Sequence, residues 1–183
     1  MKLFLTIFLF CSLSYGAVKA QQFEFKPEAG KVGFKTKGWP NLVTIKGEGK
    51  GVTGSLTQNE GKVSGELVFD LSTLKTGIEL RDSHMKDNYL EVKQFPTAKL
   101  KLTDVEFPKD LDGDMKFKGM MTLHGVEKEV EGKAELDNDD GNIKMTAEIP
   151  VKLSDFKIAI PSYKGITVAE KVSIHFETKV AKK

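Results

Sequence analysis

Cysteine is almost absent from this 183-residue chain, and the one that occurs, Cys11, lies in an N-terminal segment that we expect to be removed. The remaining chain therefore cannot form a disulfide scaffold, a cysteine-ligated metal site or a thiol nucleophile. Arginine is equally scarce, since Arg81 is its only occurrence. These absences exclude several chemistries before any sequence pattern is considered.

The N-terminal segment has the layout of a secretory signal peptide. A basic start is followed by the apolar run from Leu3 to Leu13, and the segment ends in a small residue, Ala20. An apolar run of about eleven residues is well short of the roughly twenty that cross a bilayer, which argues against a membrane anchor. A lipoprotein acylation site at Cys11 is the minor alternative, because bulky Phe10 precedes it.

We therefore expect residues 1–20 to be cleaved and residues 21–183 to form one exported domain in the periplasm. Removal of Lys2 and Lys19 from the 28 basic residues of the chain leaves 26, which balance 26 acidic residues. A net charge of zero provides no basic surface for a phosphate backbone, so nucleic acid is not an expected partner. About 160 residues can bury a sizeable core in a single domain.

Apolar residues recur at every second position through most of the mature chain, which is the spacing of half-buried β-strands. Residues 126–136 carry glutamate and lysine on one face, and residues 143–153 hold six consecutive alternate apolar positions. About eight to ten strands at hairpin spacing predict an antiparallel barrel or a sandwich. Strands of about eleven residues favour the barrel, because at a tilt near 40° they would make a wall about 28 Å tall.

Two parts of the strand pattern are less regular. Residues 154–169 contain apolar positions without a clear period of two, and we interpret them as a loop-like segment. Small residues also occur at inward-facing positions, namely Thr36, Gly47, Gly65, Gly119 and Ala147. Such residues are typical both of an open cavity and of bends in a barrel wall, so both interpretations stay open.

Residues 81–96, RDSHMKDNYLEVKQFP, are the one convincing helical segment of the mature chain. Asp82 or Ser83 is a suitable N-cap, and Pro96 prevents continuation of the helix. Apolar residues spaced by four and three share one face: Met85, Tyr89 and Val92. About three turns are too short to be stable alone, so this face must rest on the strands, where the helix would cap one end.

The histidines His84, His124 and His175 offer little support for catalysis. The chain has no HExxH, GxSxG or glycine-rich phosphate loop. Asp82 and His84 could bind a metal together with His124, yet local capping explains the aspartate without a metal. We therefore predict no catalytic residue, no metal site and no cofactor.

Arg81 stands beside Asp82 at the start of the predicted helix. The favoured interpretation is a local ion pair that ties the helix to the wall of the barrel. The sharper alternative is that Arg81 anchors a polar head group at the mouth of a pocket.

Two stretches of the chain resemble the signature of the YceI-like, polyisoprenoid-binding family. The first begins at Thr76 as TGIELRDSHMK and continues through YLEV and QFPTA to Ala98. The second, GMMTLHGV, runs from Gly119 to Val126. The resemblance extends from about Phe23 to Val180, and the two motifs occur in the family's order.

This resemblance implies a lipocalin-like, all-β antiparallel barrel of about eight strands with a short helix capping one end. It also implies a periplasmic protein that binds a long-chain isoprenoid, such as a polyprenyl quinone, or a similar amphiphilic lipid in an apolar lumen. Transport, storage and sequestration are all compatible roles. The alternatives are sequestration of a small hydrophobic molecule, a histidine-based hydrolase or metal site, and a structural module with a solid core.

The inward-facing positions and the helix supply the candidate ligand-binding residues. The apolar candidates are Phe34, Ile45, Leu67, Phe69, Met85, Tyr89, Phe117, Met121, Met145, Ile149, Ile174 and Phe176. The candidates for a polar mouth are Arg81, Asp82, His84 and His124. Transient membrane contact and a homodimer are left open.

Overall fold

The structure is a computed structural model that describes residues 20–26, 30–40, 43–139 and 142–181. Apart from Ala20, the predicted signal peptide lies outside these described residues, so its cleavage stays a prediction. Within the described ranges, no helix combines the length and the apolar character needed to cross a membrane.

Twelve antiparallel strands form one sheet across the described residues. The strands are β1 (Gln21–Phe25), β2 (Gly30–Trp39), β3 (Val43–Lys50), β4 (Val52–Asn59), β5 (Lys62–Asp70), β6 (Thr97–Glu106), β7 (Gly113–Leu123), β8 (Val126–Asp139), β9 (Asn142–Lys152), β10 (Ser162–Tyr163), β11 (Ile166–Val168) and β12 (Lys171–Ala181). Their order in the sheet is β1-β4-β5-β6-β7-β8-β9-β12-β2-β11-β10, and β3 pairs with β2 beside this path. The strands from β4 to β9 are therefore neighbours both in the chain and in the sheet.

The prediction of an all-β antiparallel fold with one short helix is confirmed, but a closed barrel of about eight strands is wrong. The sheet has twelve strands, and its hydrogen-bonded order does not return to its start. Gly51, at φ 102°, separates β3 from β4, so that one long stretch of chain pairs first with β2 and then with β5. The ladder is thereby interrupted beside β3.

The sheet nevertheless curls, so that strands far apart in its order approach each other. The Phe25 ring on β1 lies 6.2 Å from the Phe176 ring on β12. Beside β3, the amide of Glu48 donates to the carbonyl of Lys75 at 2.8 Å, and the amide of Lys75 donates back at 2.9 Å. The segment that follows β5 thus takes the place of a strand where the ladder is interrupted.

Side chains on the inward face of the curled sheet form one core. In β8, Val130, Ala134 and Leu136 are buried, whereas the charged residues between them are exposed. Outward-facing charges form pairs such as Lys118 with Glu131 at 2.9 Å, and exposed pairs of this kind stabilise a fold very little. Apolar burial, about 1.5–3 kcal/mol for each large side chain, is therefore what holds the curved sheet together.

The helical segment differs from its prediction at both ends. An α-helix, α1, spans Glu79–His84, and a π-helix follows over Met85–Tyr89. The N-cap is Ile78, which provides no side-chain hydrogen bond, so the prediction of Asp82 or Ser83 as N-cap is wrong. We call residues 79–90 the lid.

The predicted loop over residues 154–169 contains regular structure. It begins within a 3-10 turn, Leu153–Phe156, and includes the small hairpin of β10 and β11. Strands of two and three residues are too short to show a period of two in the sequence. The hairpin extends the sheet beside the last two residues of β2, where Val168 pairs with Gly38.

Candidate functional site

A cavity of about 480 Å³ lies between the concave face of the sheet and the lid. All twelve apolar residues predicted from the sequence line it: Phe34, Ile45, Leu67, Phe69, Met85, Tyr89, Phe117, Met121, Met145, Ile149, Ile174 and Phe176. They come from six strands and from the lid. The alternation along each strand sends these side chains inward, and the curl of the sheet makes them face one another.

The interior of the cavity offers very few polar groups. Thr36 is buried on its wall, but the hydroxyl donates to the carbonyl of Lys171 at 3.0 Å. The hydroxyl of Thr36 therefore already has a hydrogen-bond partner and does not need a polar group of a ligand. A long hydrocarbon chain is the kind of molecule that such a wall accommodates without leaving buried polar atoms unpaired.

Of the five small residues predicted to face inward, Thr36 and Ala147 line the cavity, whereas the three glycines leave no open space beside them. A Cβ atom on Gly47 would lie 2.5 Å from the Phe34 ring, and a Cβ on Gly119 would lie 3.0 Å from Leu100. Gly65 has φ 151°, and a Cβ there would meet the carbonyl oxygen of Ser55 at 2.1 Å. The space beside these three glycines is thus filled by neighbouring side chains or by backbone.

The lid closes one end of the cavity with apolar side chains. Met85, Tyr89 and Leu90 line the cavity and are half-buried. Val92, predicted to share their face, packs against the core but is not among the lining residues. The amide of Leu90 donates to the carbonyl of Met85 at 2.8 Å, which is the wide turn of a π-helix.

The four residues predicted for a polar mouth divide into two pairs. Arg81 and His84 line the cavity, whereas Asp82 and His124 are not among the lining residues. Arg81 donates through Nε to the hydroxyl of Thr76 at 2.8 Å and through Nη2 to its carbonyl at 2.9 Å. Asp82 accepts from the amide of Thr76 at 2.7 Å and from its hydroxyl. Thr76 is therefore the common partner of both charged residues.

The pKa of the Asp82 carboxyl lies below its ordinary value. Partial burial by itself raises the pKa, because it disfavours the charged form. The hydrogen bonds from the side chain and the backbone of Thr76, together with the charges of Lys86 and Arg81, lower it by more. The ionised carboxylate is thus the form that orients the start of the lid.

His84 and His124 take part in separate groups of contacts. The His84 ring packs edge-on against Tyr163 with ring centres 5.6 Å apart. In His124, Nδ1 lies 3.1 Å from the carbonyl oxygen of Phe156 and Nε2 lies 2.8 Å from a carboxylate oxygen of Glu91. Among the described residues, no group of three histidine, cysteine or acidic side chains could hold a metal ion.

The family model of the YceI-like domain matches residues 23–180. The chain belongs to the YceI-like family. No curated protein matches this YceI-like chain in sequence.

Three solved structures are similar to the YceI-like domain. BcnA of Burkholderia cenocepacia has a TM-score of 0.69 and 19% identity, over 83% of this chain and 96% of its own. A polyisoprenoid binding domain from Saccharophagus degradans, implicated in plant cell wall breakdown, has a TM-score of 0.66 and 15% identity, over 90% and 100%. The YCEI protein of Campylobacter jejuni has a TM-score of 0.60 and 19% identity, over 78% and 86%. Identities this low establish a shared fold only.

Sequence-based reasoning missed part of the cavity mouth in this YceI-like protein. Tyr163, Ile166 and Val168 line it from the β10–β11 hairpin, and Ile78 and Leu80 line it at the start of the lid. The apolar residues within the supposed loop were the available signal. They could not be placed, because the pairing of β11 with β2 joins residues far apart in the sequence.

Proposed function

We propose that this YceI-like domain is an exported, non-catalytic binding protein that holds one long-chain isoprenoid or similar amphiphilic lipid. The observation that carries the proposal is the cavity of about 480 Å³ with almost entirely apolar walls. Ligand sites in proteins commonly enclose about 300–1,000 Å³ and are lined mainly by hydrophobic side chains. The fold shared with a domain described as polyisoprenoid-binding supports the same ligand class.

Burial of hydrocarbon is sufficient to hold such a ligand. Each methylene group removed from water contributes about 0.8 kcal/mol, so ten of them contribute roughly 8 kcal/mol before ordering costs. That free energy corresponds to a dissociation constant of about 1 μM. The affinity can therefore come from the chain of the lipid, with no chemistry at its head group.

The polar end of the ligand would lie at the mouth beside Arg81. Two of the five N–H groups of Arg81 are directed to Thr76, which leaves three donors for a hydroxyl, carbonyl or phosphate oxygen. His84 lines the same part of the cavity. In this arrangement the apolar tail fills the cavity and the head group stays close to water.

Export is consistent with this role, because a carrier that shields a lipid from water is useful in the aqueous space next to a membrane. Cleavage of the proposed signal peptide can be tested directly. Mass spectrometry of the mature protein from the periplasmic fraction should show an N-terminus at Gln21, after removal of residues 1–20. A periplasmic protein that retains Met1 would contradict cleavage.

The decisive experiment is mass spectrometry of an organic extract of the purified, exported protein. We expect about one long-chain lipid per folded chain. Ala147→Phe places a ring inside the cavity, and this variant should lose most of the lipid. Lys144→Phe places the same ring on the exposed face of the same strand, and this control should keep it.

The outcomes separate the candidate functions. An empty wild-type protein whose thermal unfolding is normal would contradict lipid binding. A compact molecule without a long chain, lost from Ala147→Phe and kept in Lys144→Phe, would replace the lipid role with sequestration of small hydrophobic compounds.

A further inference from the structure

Six large hydrophobic side chains are exposed in the part of the chain that the structure describes, and they come from the end of β2, the start of β3, the start of the lid and the segment at β10. They are Trp39, Val43, Ile78, Leu80, Ile160 and Tyr163. Between 44% and 65% of each is exposed to solvent. We call these six residues the rim. Elsewhere on the described surface the large hydrophobic side chains are buried or half-buried, so the rim is a localised feature.

Three parts of the fold bring the rim together. Val43 lies beside the end of β2, where it pairs with Gly38, and Trp39 pairs with Thr167 of the β10–β11 hairpin. The hairpin in turn reaches the lid, because the rings of Tyr163 and His84 are in contact. Four members of the rim also line the cavity: Val43, Ile78, Leu80 and Tyr163. The apolar surface is therefore continuous from the cavity to the outside.

Two lysines flank this apolar surface. Lys37 is exposed one position from Gly38 and donates to the hydroxyl of Thr44. Lys164 is exposed at the tip of the β10–β11 hairpin, with its Nζ 5.4 Å from the centre of the Tyr163 ring. Exposed Glu79 lies between Ile78 and Leu80 and is the acidic member of this group of three charged side chains. The rim thus combines apolar side chains with an excess of positive charge.

We propose that the rim docks on the surface of an anionic lipid bilayer, with the cavity mouth facing the membrane. The proposal rests on the proposed function, since it supplies the route by which a lipid passes between a bilayer and the cavity without crossing water. Tryptophan and tyrosine favour the interface between head groups and acyl chains, and lysines near that interface are attracted by anionic head groups.

A second copy of the chain fits the rim less well. A two-fold dimer through this surface would place the rim against itself. Lys37 and Lys164 of both copies would then lie at one interface, where their four like charges repel one another. An anionic membrane instead presents charge of the opposite sign to both lysines.

Trp39 is the only tryptophan of the chain and lies in the rim, so its fluorescence reports docking directly. Vesicles of phosphatidylglycerol and phosphatidylethanolamine should shift its emission to shorter wavelength, and brominated acyl chains should quench it. Vesicles of neutral phosphatidylcholine should bind at least about tenfold more weakly. Co-sedimentation with the same vesicles measures the affinity without relying on fluorescence.

Charge substitutions test the electrostatic part of the proposal. Lys37→Glu combined with Lys164→Glu should weaken binding to anionic vesicles at least about 25-fold, since each lysine contributes about fivefold. The matched control is Lys62→Glu combined with Lys109→Glu. Lys62 begins β5, at the end of that strand away from the lid, and both control lysines are exposed. The control should bind vesicles as the wild-type protein does.

Ile78→Ser combined with Leu80→Ser tests the apolar part, and it should weaken binding about tenfold while the protein stays folded, because both side chains are exposed. Absence of vesicle binding by a wild-type protein that carries lipid would overturn docking and leave the proposed function standing. Vesicle binding by a protein that never contains lipid would sustain docking and contradict the proposed function. Rim-dependent dimerisation in sedimentation velocity, without vesicle binding, would overturn docking in favour of a second copy.

Discussion

Thr76 joins the two charged residues at the start of the lid. Its hydroxyl and backbone bond both Arg81 and Asp82, while α1 itself has no side-chain N-cap. The sequence pattern placed Asp82 at the cap of a helix, but the aspartate bonds a residue six positions upstream instead. Orientation of the lid therefore depends on a threonine that lies outside the predicted helix and that the helical pattern does not indicate.

Thr76→Val keeps the shape of this side chain and removes the hydroxyl. Because the hydroxyl bonds two charged side chains in a half-buried position, we expect a loss of about 1–2 kcal/mol in the free energy of unfolding. Urea unfolding measures the loss. Thr53→Val, at an exposed position of β4, is the control and should change stability by less than about 0.5 kcal/mol. Equal losses in the two variants would contradict the role of Thr76.

The lowered pKa of Asp82 predicts a pH-dependent contribution to stability. A carboxyl whose pKa is lower in the folded state than in the unfolded state stabilises the fold above the unfolded value, about 3.9, and this contribution is lost as the pH falls through the folded value. Asp82→Asn should therefore cost about 1 kcal/mol at neutral pH, the usual value of a partly exposed hydrogen bond.

Urea unfolding at pH 7 and at about pH 2.5 tests this dependence. The difference between the wild-type protein and Asp82→Asn should shrink towards zero in acid. Asp114→Asn, at an exposed position of β7, should differ little from the wild-type protein at either pH. A difference between the wild-type protein and Asp82→Asn that is equally large in acid would show that the protonated Asp82 carboxyl makes the same bonds as the carboxylate, and it would contradict the prediction.

At the scale of elements, the lid combines a short α-helix with a π-helix. The wider turn of the π-helix places Met85, Tyr89 and Leu90 on the cavity wall, all of them half-buried. Partial burial limits what each side chain adds to folding, because a good part of its surface remains in contact with water. The lid residues are thus positioned to affect the ligand more than the fold.

Met85→Ala and Tyr89→Ala should therefore loosen ligand retention more than they lower stability. We expect each to cost less than about 2 kcal/mol in urea unfolding, below the range for truncating a fully buried side chain. Lipid content per folded molecule, measured after incubation with empty acceptor vesicles, should fall clearly in both variants.

Leu136→Ala is the matched control for the lid variants. Leu136 is buried but does not line the cavity, so its truncation should cost about 2–5 kcal/mol and leave the lipid content of the folded fraction unchanged. Lid variants that lose stability and lipid to the same extent would show that residues 79–90 belong to the core.

For the whole molecule, the sequence predicts the faces of the strands better than their pairing. The inward direction of Leu67, Met145 or Ile174 follows from alternation, which is a local property of each strand, and all twelve predicted apolar residues lie on the cavity wall. Whether the sheet closes into a barrel or stays open depends on which strands, distant in the sequence, pair with one another. The bend at Gly51 and the short β10–β11 hairpin decide that question, and neither has a distinctive sequence period.

The polar part of the site was harder to predict for a related reason. Arg81 and His84 line the cavity, but Asp82 turns to Thr76 and His124 turns to Phe156 and Glu91. Each of these bonds depends on how backbone segments approach one another in three dimensions. Residue type and spacing show that a side chain can bond, but they do not select its partner.

The interrupted sheet has a consequence for kinetics. Beside β3, the segment that precedes the lid is held by the exchange of two backbone bonds between Glu48 and Lys75 and by the bond from Thr73 to Lys50. By comparison, β9 and β12 are joined along eleven residue pairs. Opening of these contacts beside β3 breaks a few hydrogen bonds and leaves the strand ladders intact, so it costs much less free energy than global unfolding.

Native-state hydrogen exchange measures this difference. The amides of Glu48 and Lys75 should exchange through a local opening that is insensitive to low concentrations of urea, whereas amides of the β9–β12 ladder should exchange only through global unfolding. Exchange of both groups with the same free energy would contradict a separate opening. With a separate opening, the segment that leads into the lid can move at a rate that changes without any change in the stability of the fold.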